Sequence, residues 1–288
     1  MSVDLLFCEG STQSYDIRIL RKLLQSFCQV IAGGSSRGLR KCIDHARQFY
    51  ETKSVFAIRD RDFPKKWTGA SQFVLEWITP DHQGQMKHWG WVWPRREIEN
   101  YLIDPIIVQK SLEVCIRQKA FDVCPFDFED YATVLNSVRD SIAVYQAARI
   151  ALTQAGKPRY LCTSFGHARG QYNYRFPQQL DQSSCEHGIK ILFQNHDQSL
   201  VTLEETLMEF HRIMNMECSR GKPRYQDYLY AFSGKDLLWA MEDWFTKTPF
   251  RSPTVFQETI LTGIENADED IALWCYEWND LVNKIKTV

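Results

Sequence analysis

Glu9, Asp60, Asp62 and Glu99 are the residues whose types and spacing can do chemistry. Glu9 closes an apolar run, Val3-Asp4-Leu5-Leu6-Phe7-Cys8, and precedes Gly10. Asp60 and Asp62 close a second run, Val55-Phe56-Ala57-Ile58-Arg59, as a D-x-D. Glu99 stands in Arg95-Arg96-Glu97-Ile98-Glu99-Asn100-Tyr101-Leu102. Acids at the carboxyl ends of neighbouring parallel strands converge on the crevice where such sheets bind ligands. Like charges held together disfavour ionisation unless cations neutralise them. The clusters therefore predict a divalent-metal site. Mg²⁺ takes hard oxygen ligands, and two ions about 3.5–4 Å apart can clamp the attacking and leaving oxygens of a phosphodiester. Asp62 shares a face with Asp60 if the strand continues, which turns Arg61 away. The third cluster stays open, because Glu97 or Glu99 can equally cap or pair with Arg95 or Arg96.

A lysine far along the chain fits the same chemistry. In Phe232-Ser233-Gly234-Lys235-Asp236-Leu237-Leu238, Ser233 reads as a helix N-cap, which puts Lys235 in the first turn. A positive charge beside free backbone N–H groups can clamp a phosphate or offset transition-state charge. Residues 35 to 66 carry Arg37, Arg40, Lys41, Arg47, Lys53, Arg59, Arg61, Lys65 and Lys66 against only Asp44, Glu51, Asp60 and Asp62. That excess suits a polyanion, although a solvated helix face has the same composition. Gly156-Lys157-Pro158-Arg159-Tyr160 recurs as Gly221-Lys222-Pro223-Arg224-Tyr225, a pairing of base and ring that also arises by coincidence. His45, His82, His88 and His167 show no metal spacing, and Tyr101 lies in an apolar helical run that favours packing over nucleophilic use.

The elements that would position these residues alternate in the βα manner. Strands are predicted over about 3–8, 29–32 and 55–58, and helices over about 15–27 and 39–50. This order implies parallel strands with crossovers. Weaker strands follow over 73–78 and 88–93, and a helix is predicted over 106–119 with Pro105 in its first turn. The middle of the chain reads as mostly helical, with few breakers over 140–153 and a capping box at Thr202-Leu203-Glu204-Glu205 opening a helix over 203–216. Residues 156–198 are polar and turn-rich and carry no predicted element. The chain has 288 residues, enough for one large domain or two smaller ones, and its net charge of −2 announces no polyanion partner globally. Its nine Cys form no C-x-x-C pair, which argues against structural zinc and for reduced thiols in a cytoplasmic protein. Neither a signal peptide nor an apolar run of membrane length is expected.

Taken together, Glu9-Gly10, Gly33-Gly34-Ser35, Asp60-Arg61-Asp62, Glu99-Asn100-Tyr101-Leu102 and Gly234-Lys235 resemble the TOPRIM domain. Within it they resemble the OLD-like branch and the stand-alone DUF4435-type proteins. The resemblance covers about residues 1 to 104 and 226 to 246. It implies an α/β, Rossmann-like, mainly parallel sheet flanked by helices over 1–104. A mostly helical insertion would span 105–225, and a segment over 226–288 would return Lys235 to the site. The implied activity is a nuclease using Mg²⁺ or Mn²⁺, with two ions held by Glu9, Asp16, Asp60, Asp62 and Glu99. Lys235 would offset transition-state charge, and Arg37, Arg59 and Arg61 would contact the nucleic-acid backbone. The family places an Asp a few residues after its first Glu. Here the nearest is Asp16, beyond Ser11-Thr12-Gln13-Ser14, and if it does not reach the site one ligand is missing.

The resemblance also implies partners. OLD-like nucleases work with an ABC-type ATPase, fused or separate. This chain has no G-x-x-x-x-G-K-[ST] motif, so a separate ATPase is implied. The arrangement is similar to PARIS-type phage defence, in which an ATPase sensor holds a stand-alone effector that acts on tRNA. The implied substrate is tRNA, another RNA or DNA; a homodimer is allowed and no membrane is involved. A topoisomerase would need a DNA-gate domain, and a primase would bring a zinc module. Two rivals remain. One is a D-x-D metal-nucleotide transferase, which leaves Glu9, Glu99 and Lys235 unemployed. The other is a non-catalytic subunit on a TOPRIM scaffold.

Overall fold

A computed structural model of the chain describes residues 3–50, 54–61, 73–81, 83–118, 126–156, 180–194, 201–215 and 227–288, with the backbone alone at Ser36 and Arg37. The chain divides into two units, one of 1–61, 71–126 and 254–288, the other of 62–70 and 127–253.

In the first unit, β1 (Leu5–Cys8), β2 (Gln29–Ala32), β3 (Val55–Arg59), β4 (Leu75–Pro80) and β5 (Met86–Val92) form one sheet in the order β2-β1-β3-β5-β4. β2, β1, β3 and β5 run parallel, and β4 is an antiparallel edge strand on β5. The apolar runs that predicted β1 and β3 are those of strands buried on both faces. Leu5, Phe7, Val55 and Ala57 share a cluster with Leu39, Ile43 and Ala46 of α2 (Ser36–Phe49). Leu6, Cys8 and Ile58, of opposite parity, are buried as well. α1 (Tyr15–Leu24) carries the chain from β1 out to β2, and α2 carries it back past β1 to β3. The strand order therefore reverses between β1 and β3, the crevice in which open α/β sheets bind ligands. Gly90 brings β5 against β3 at φ 138°, where a Cβ would lie 1.8 Å from the Ala57 carbonyl oxygen.

Two helix ends differ from the sequence reading. α1 stops at Leu24, and Phe27 turns back beneath Lys286, 4.5 Å from its ring. α2 starts at Ser36 rather than near 39. After β5 come the short α3 (Glu99–Leu102) and α4 (Pro105–Arg117), whose N-cap Asp104 accepts from the Ile106 and Ile107 amides. Residues 105–126 thus belong with the sheet. So does the end of the chain from residue 254, with most of α11 (Pro253–Asn266), a 3₁₀ turn (Ile271–Trp274) and α12 (Tyr276–Thr287). Arg18 of α1 forks onto Glu265 at 2.7 Å and reaches Glu258 at 2.8 Å, and the Val3 amide donates to Ile285 O at 3.1 Å.

The second unit is built on α5 (Phe128–Gln154), against which α6 (Gln182–Gln194), α7 (Leu203–Met214) and α9 (Gly234–Ala240) pack. α8 (Tyr228–Ala231) and α10 (Glu242–Phe245) flank α9. The capping box at Thr202 and Glu205 is formed. α6 lies in the stretch that carried no predicted element. It buries Cys185, Gly188, Ile189 and Leu192 at helical spacing, a face diluted in sequence by Gln, Ser and a mid-helix Gly. Among the described residues no helix is long and apolar enough to cross a membrane.

Candidate functional site

β1 and β3 lie side by side, and each delivers one acid from its carboxyl end. Glu9 follows β1, and the chain turns at once through Gly10 at φ 95°, whose N–H donates to Gly34 O at 2.7 Å. Gly33 N–H donates to Cys8 O at 2.7 Å, so the Gly33-Gly34 turn is stitched to the Glu9 turn. A Cβ on Gly10 would come within 2.5 Å of Ser14 Oγ, at the N-cap of α1. That close approach seats the first turn of α1, which carries Asp16, directly after Glu9.

Asp60 follows β3 and is fixed from both sides. Trp93 N–H donates to Arg59 O at 3.0 Å before it, and Arg61 N–H donates to Arg96 O at 3.1 Å after it. Its Oδ1 is shut off from solvent and meets no hydrogen-bond donor among the described residues. Burial first, then the charges of Asp16, Glu97, Glu99 and Glu9, hold its carboxyl well above the ordinary carboxylate range. The Cys8 thiol is pushed up by burial and then by Asp16, Asp60 and Glu9. Cys8 and Asp60 therefore share the charges of Asp16 and Glu9. Asp16 is the first of the charges that raise both. Tyr15, beside it, is pushed up to about 12 by burial and then by Glu258 and Glu99.

No family model matches the chain, and no curated protein matches it.

The segment that carries the third acidic cluster is anchored by a buried arginine. Arg95 sits at the centre of a buried ion-pair network. It is 4% exposed and binds Asp104 at 2.8 Å and Glu277 of α12 at 2.8 Å, with its guanidinium 4.4 Å over the Tyr101 ring. This buried network fixes the turn between β5 and α3, and both Glu97 and Glu99 bear on Asp60. Glu97 thus joins the site alongside Glu99, which is 7% exposed. Tyr101 is fully buried between Trp93 and Trp278, in a packing role. Among the described residues no three His, Cys, Asp or Glu side chains are close enough to hold a metal ion as they stand. Asp62 lies outside the described residues.

The basic candidates separate. Arg59 lies on the opposite face of β3 from Asp60, 4.9 Å over the ring of Trp77. Arg61 is turned inward and donates to Pro94 O at 2.9 Å, which makes it a staple between β3 and the turn after β5. Arg37 is in the first turn of α2, where only its backbone is described. Lys235 belongs to the second unit and is exposed at the start of α9. Its turn is held by Ser233, whose side chain accepts from the Asp236 amide at 3.3 Å. The fully buried Asp236 pairs with Arg149 of α5 and accepts from Gln146 Nε2 at 2.6 Å. Apart from Gly156, the two Gly-Lys-Pro-Arg-Tyr segments lie outside the described residues. His88 pairs with Glu76 at 2.6 Å. The acids that bear on Asp60 among the described residues are carboxylates, a donor type that suits hard cations rather than zinc or copper.

Proposed function

We propose that the chain is a divalent-metal-dependent nuclease of TOPRIM type in the OLD-like branch, acting on RNA such as tRNA, or on DNA. The observation that carries this reading is the convergence of Glu9, Asp16, Glu97 and Glu99 on Asp60 at the point where the strand order reverses. Asp60 Oδ1, buried and without a donor among the described residues, is the kind of atom a cation satisfies. Glu9, Asp16, Asp60 and Glu99 would hold Mg²⁺ or Mn²⁺, one or two ions, with Asp62 as a further ligand. When bound, such a cation supplies Lewis-acid polarisation of a phosphodiester oxygen. A bound cation would offset the charges of Asp16, Glu97, Glu99 and Glu9 that, after burial, raise the Asp60 carboxyl. Arg59 holds phosphate on the outer side of β3; the transition-state role of Lys235, a residue of the second unit, rests on the family resemblance alone. We assign the protein a cytoplasmic role as an anti-phage effector restrained by a separate ABC-type ATPase, on the family resemblance alone.

The test is cleavage of labelled tRNA and DNA with Mn²⁺ or Mg²⁺, comparing wild type with Glu9→Ala and Asp60→Ala. Both substitutions should abolish metal-dependent cleavage, a loss of at least about a hundredfold for groups acting on reacting phosphate. Activity that survives Glu9→Ala overturns the site. One observation favours a second reading, a non-catalytic subunit: the lack of a ready three-ligand group among the described residues. A binding module with a decayed site would show no thermal stabilisation by Mg²⁺ or Mn²⁺.

A further inference from the structure

The α2 face of the sheet carries cations laid over indole rings. Arg40 lies 5.6 Å from the ring centroid of Trp77 and 5.5 Å from that of Trp89. Arg59 lies 4.9 Å over Trp77, and Lys87 lies 4.7 Å over Trp89. Lys87 is neutralised by Asp44 at 2.9 Å. Arg40 and Arg59 are different. Arg40 is exposed and donates to the neutral Thr79 Oγ1 at 2.7 Å. Arg59 Nε is buried and meets no acceptor among the described residues. Neither guanidinium has a carboxylate partner among the described residues, and the two share one ring.

Two like charges on one platform repel unless an anion joins them. Trp77 is 5% exposed and Trp89 1%, so the rings are seats for the cations and not surfaces for a base to stack on. A seated guanidinium loses little freedom on binding, and its planar fork fits two phosphate oxygens. Arg59 adjoins Asp60 in sequence but turns to the other face, so its charge is not spent on the carboxylates.

We propose that Arg40 and Arg59, seated on Trp77, form a phosphodiester subsite that holds nucleic-acid backbone flanking the Asp60 crevice. The choice of nucleic acid over another polyanion rests on the nuclease reading. The chemistry recognised is the phosphodiester, common to RNA and DNA.

The test is fluorescence anisotropy with short labelled single-stranded RNA and DNA in EDTA, so that cleavage does not intervene. Wild type is compared with Arg40→Gln, Arg59→Gln and, as a control for charge alone, Lys190→Gln on α6 of the second unit. Melting temperatures of all four proteins confirm folding. Each arginine variant should bind about tenfold more weakly at low salt. The slope of log K against log salt should fall by about 0.7 per lost contact. Lys190→Gln should match wild type. A preference between the RNA and DNA arms names the source of the backbone. Wild type that binds neither strand, or arginine variants that bind as wild type does, overturns the subsite. So does poly-glutamate competing as well as unlabelled oligonucleotide, which would mark an acidic-protein surface. If binding fails in the arginine variants but wild type cleaves nothing with Mn²⁺, the subsite stands and the nuclease reading falls. If wild type cleaves but the variants bind normally, only the subsite falls.

Discussion

At the scale of single residues, Asp60 is where folding and function oppose each other. A carboxyl that is buried and repelled by Asp16, Glu97, Glu99 and Glu9 weakens the cation-free fold. Asp60→Asn keeps the shape and removes the repulsion, so its cation-free melting temperature should rise by a few degrees, the usual direction when a strained functional group is replaced. Wild type should gain stability on adding Mn²⁺, because a ligand that binds only the folded state stabilises it. The variant should gain much less. Thermal melts with and without Mn²⁺ read both effects, and an equal Mn²⁺ gain in the two proteins would count against Asp60 as a ligand. The thiols give a second residue-scale outcome. Cys28 and Cys185 are each pushed up to about 12, chiefly by burial and then by nearby acids, Asp4 for Cys28, Asp181 and Glu186 for Cys185. A raised thiol pKa leaves less thiolate, the reactive form, at neutral pH. Alkylation of both by iodoacetamide, followed by peptide mass spectrometry, should be slow at pH about 7.5 and still rising beyond the free-thiol pKa of about 8.5. A rate that levels off there would show ordinary thiols.

At the scale of elements, two contacts set the geometry around Asp60. The first is the closeness of β5 to β3 at Gly90, where a Cβ would strike the Ala57 backbone. Gly90→Ala should cost about 3 kcal/mol or more, through overpacking and a backbone conformation that side chains disfavour. Denaturant unfolding would measure it, and a cost below about 1 kcal/mol would mean the strands can part there. The second is the Arg95 network. Arg95→Leu leaves Asp104 and Glu277 buried without their shared cation, a loss of about 3–5 kcal/mol. These contacts also show what could be read in the sequence and what could not. The ends of β1 and β3 were legible because an apolar run stopping at an acid is a local signal, and so were the Pro105 start and the Ser233 and Thr202 caps. The pairing of Arg95 with Glu277, 182 residues away, was not legible, because no local pattern encodes it. The spacing of Asp16 from Glu9 says nothing of the Gly10 turn, whose left-handed backbone and close approach to Ser14 seat the first turn of α1 after β1. The aromatic seats of Arg40 and Arg59 went unread because they join α2 and β3 to the edge hairpin of β4 and β5.

At the scale of the whole molecule, the sequence reading expected a core ending near residue 104, with the end of the chain serving to return Lys235. The first unit instead includes residues 254–288. An amphipathic stretch shows its own apolar face in sequence but not which partner covers it. α12 buries Trp278, Leu281, Val282 and Ile285. It also supplies Glu277 to Arg95, the Ile285 carbonyl to the Val3 amide, and the Asp280 carboxylate to the Val74 amide at 2.9 Å. Residues at the far end of the chain thus fasten the first strand's approach, the approach to β4 and the turn bearing Glu97 and Glu99. Truncation after Cys275 removes all three fastenings. It also removes four apolar side chains worth about 1.5–3 kcal/mol each when fully buried. That loss is comparable to the whole stability of a domain, about 5–15 kcal/mol, so the truncated chain should not fold its sheet. Soluble expression and a circular-dichroism melt decide the matter: the full chain melts cooperatively, and the truncated one should be insoluble or lack a transition. A cooperative melt within a few degrees of the full chain would show that the sheet and its carboxylate crevice form without α12, and that the Arg95 network follows the fold and does not hold it.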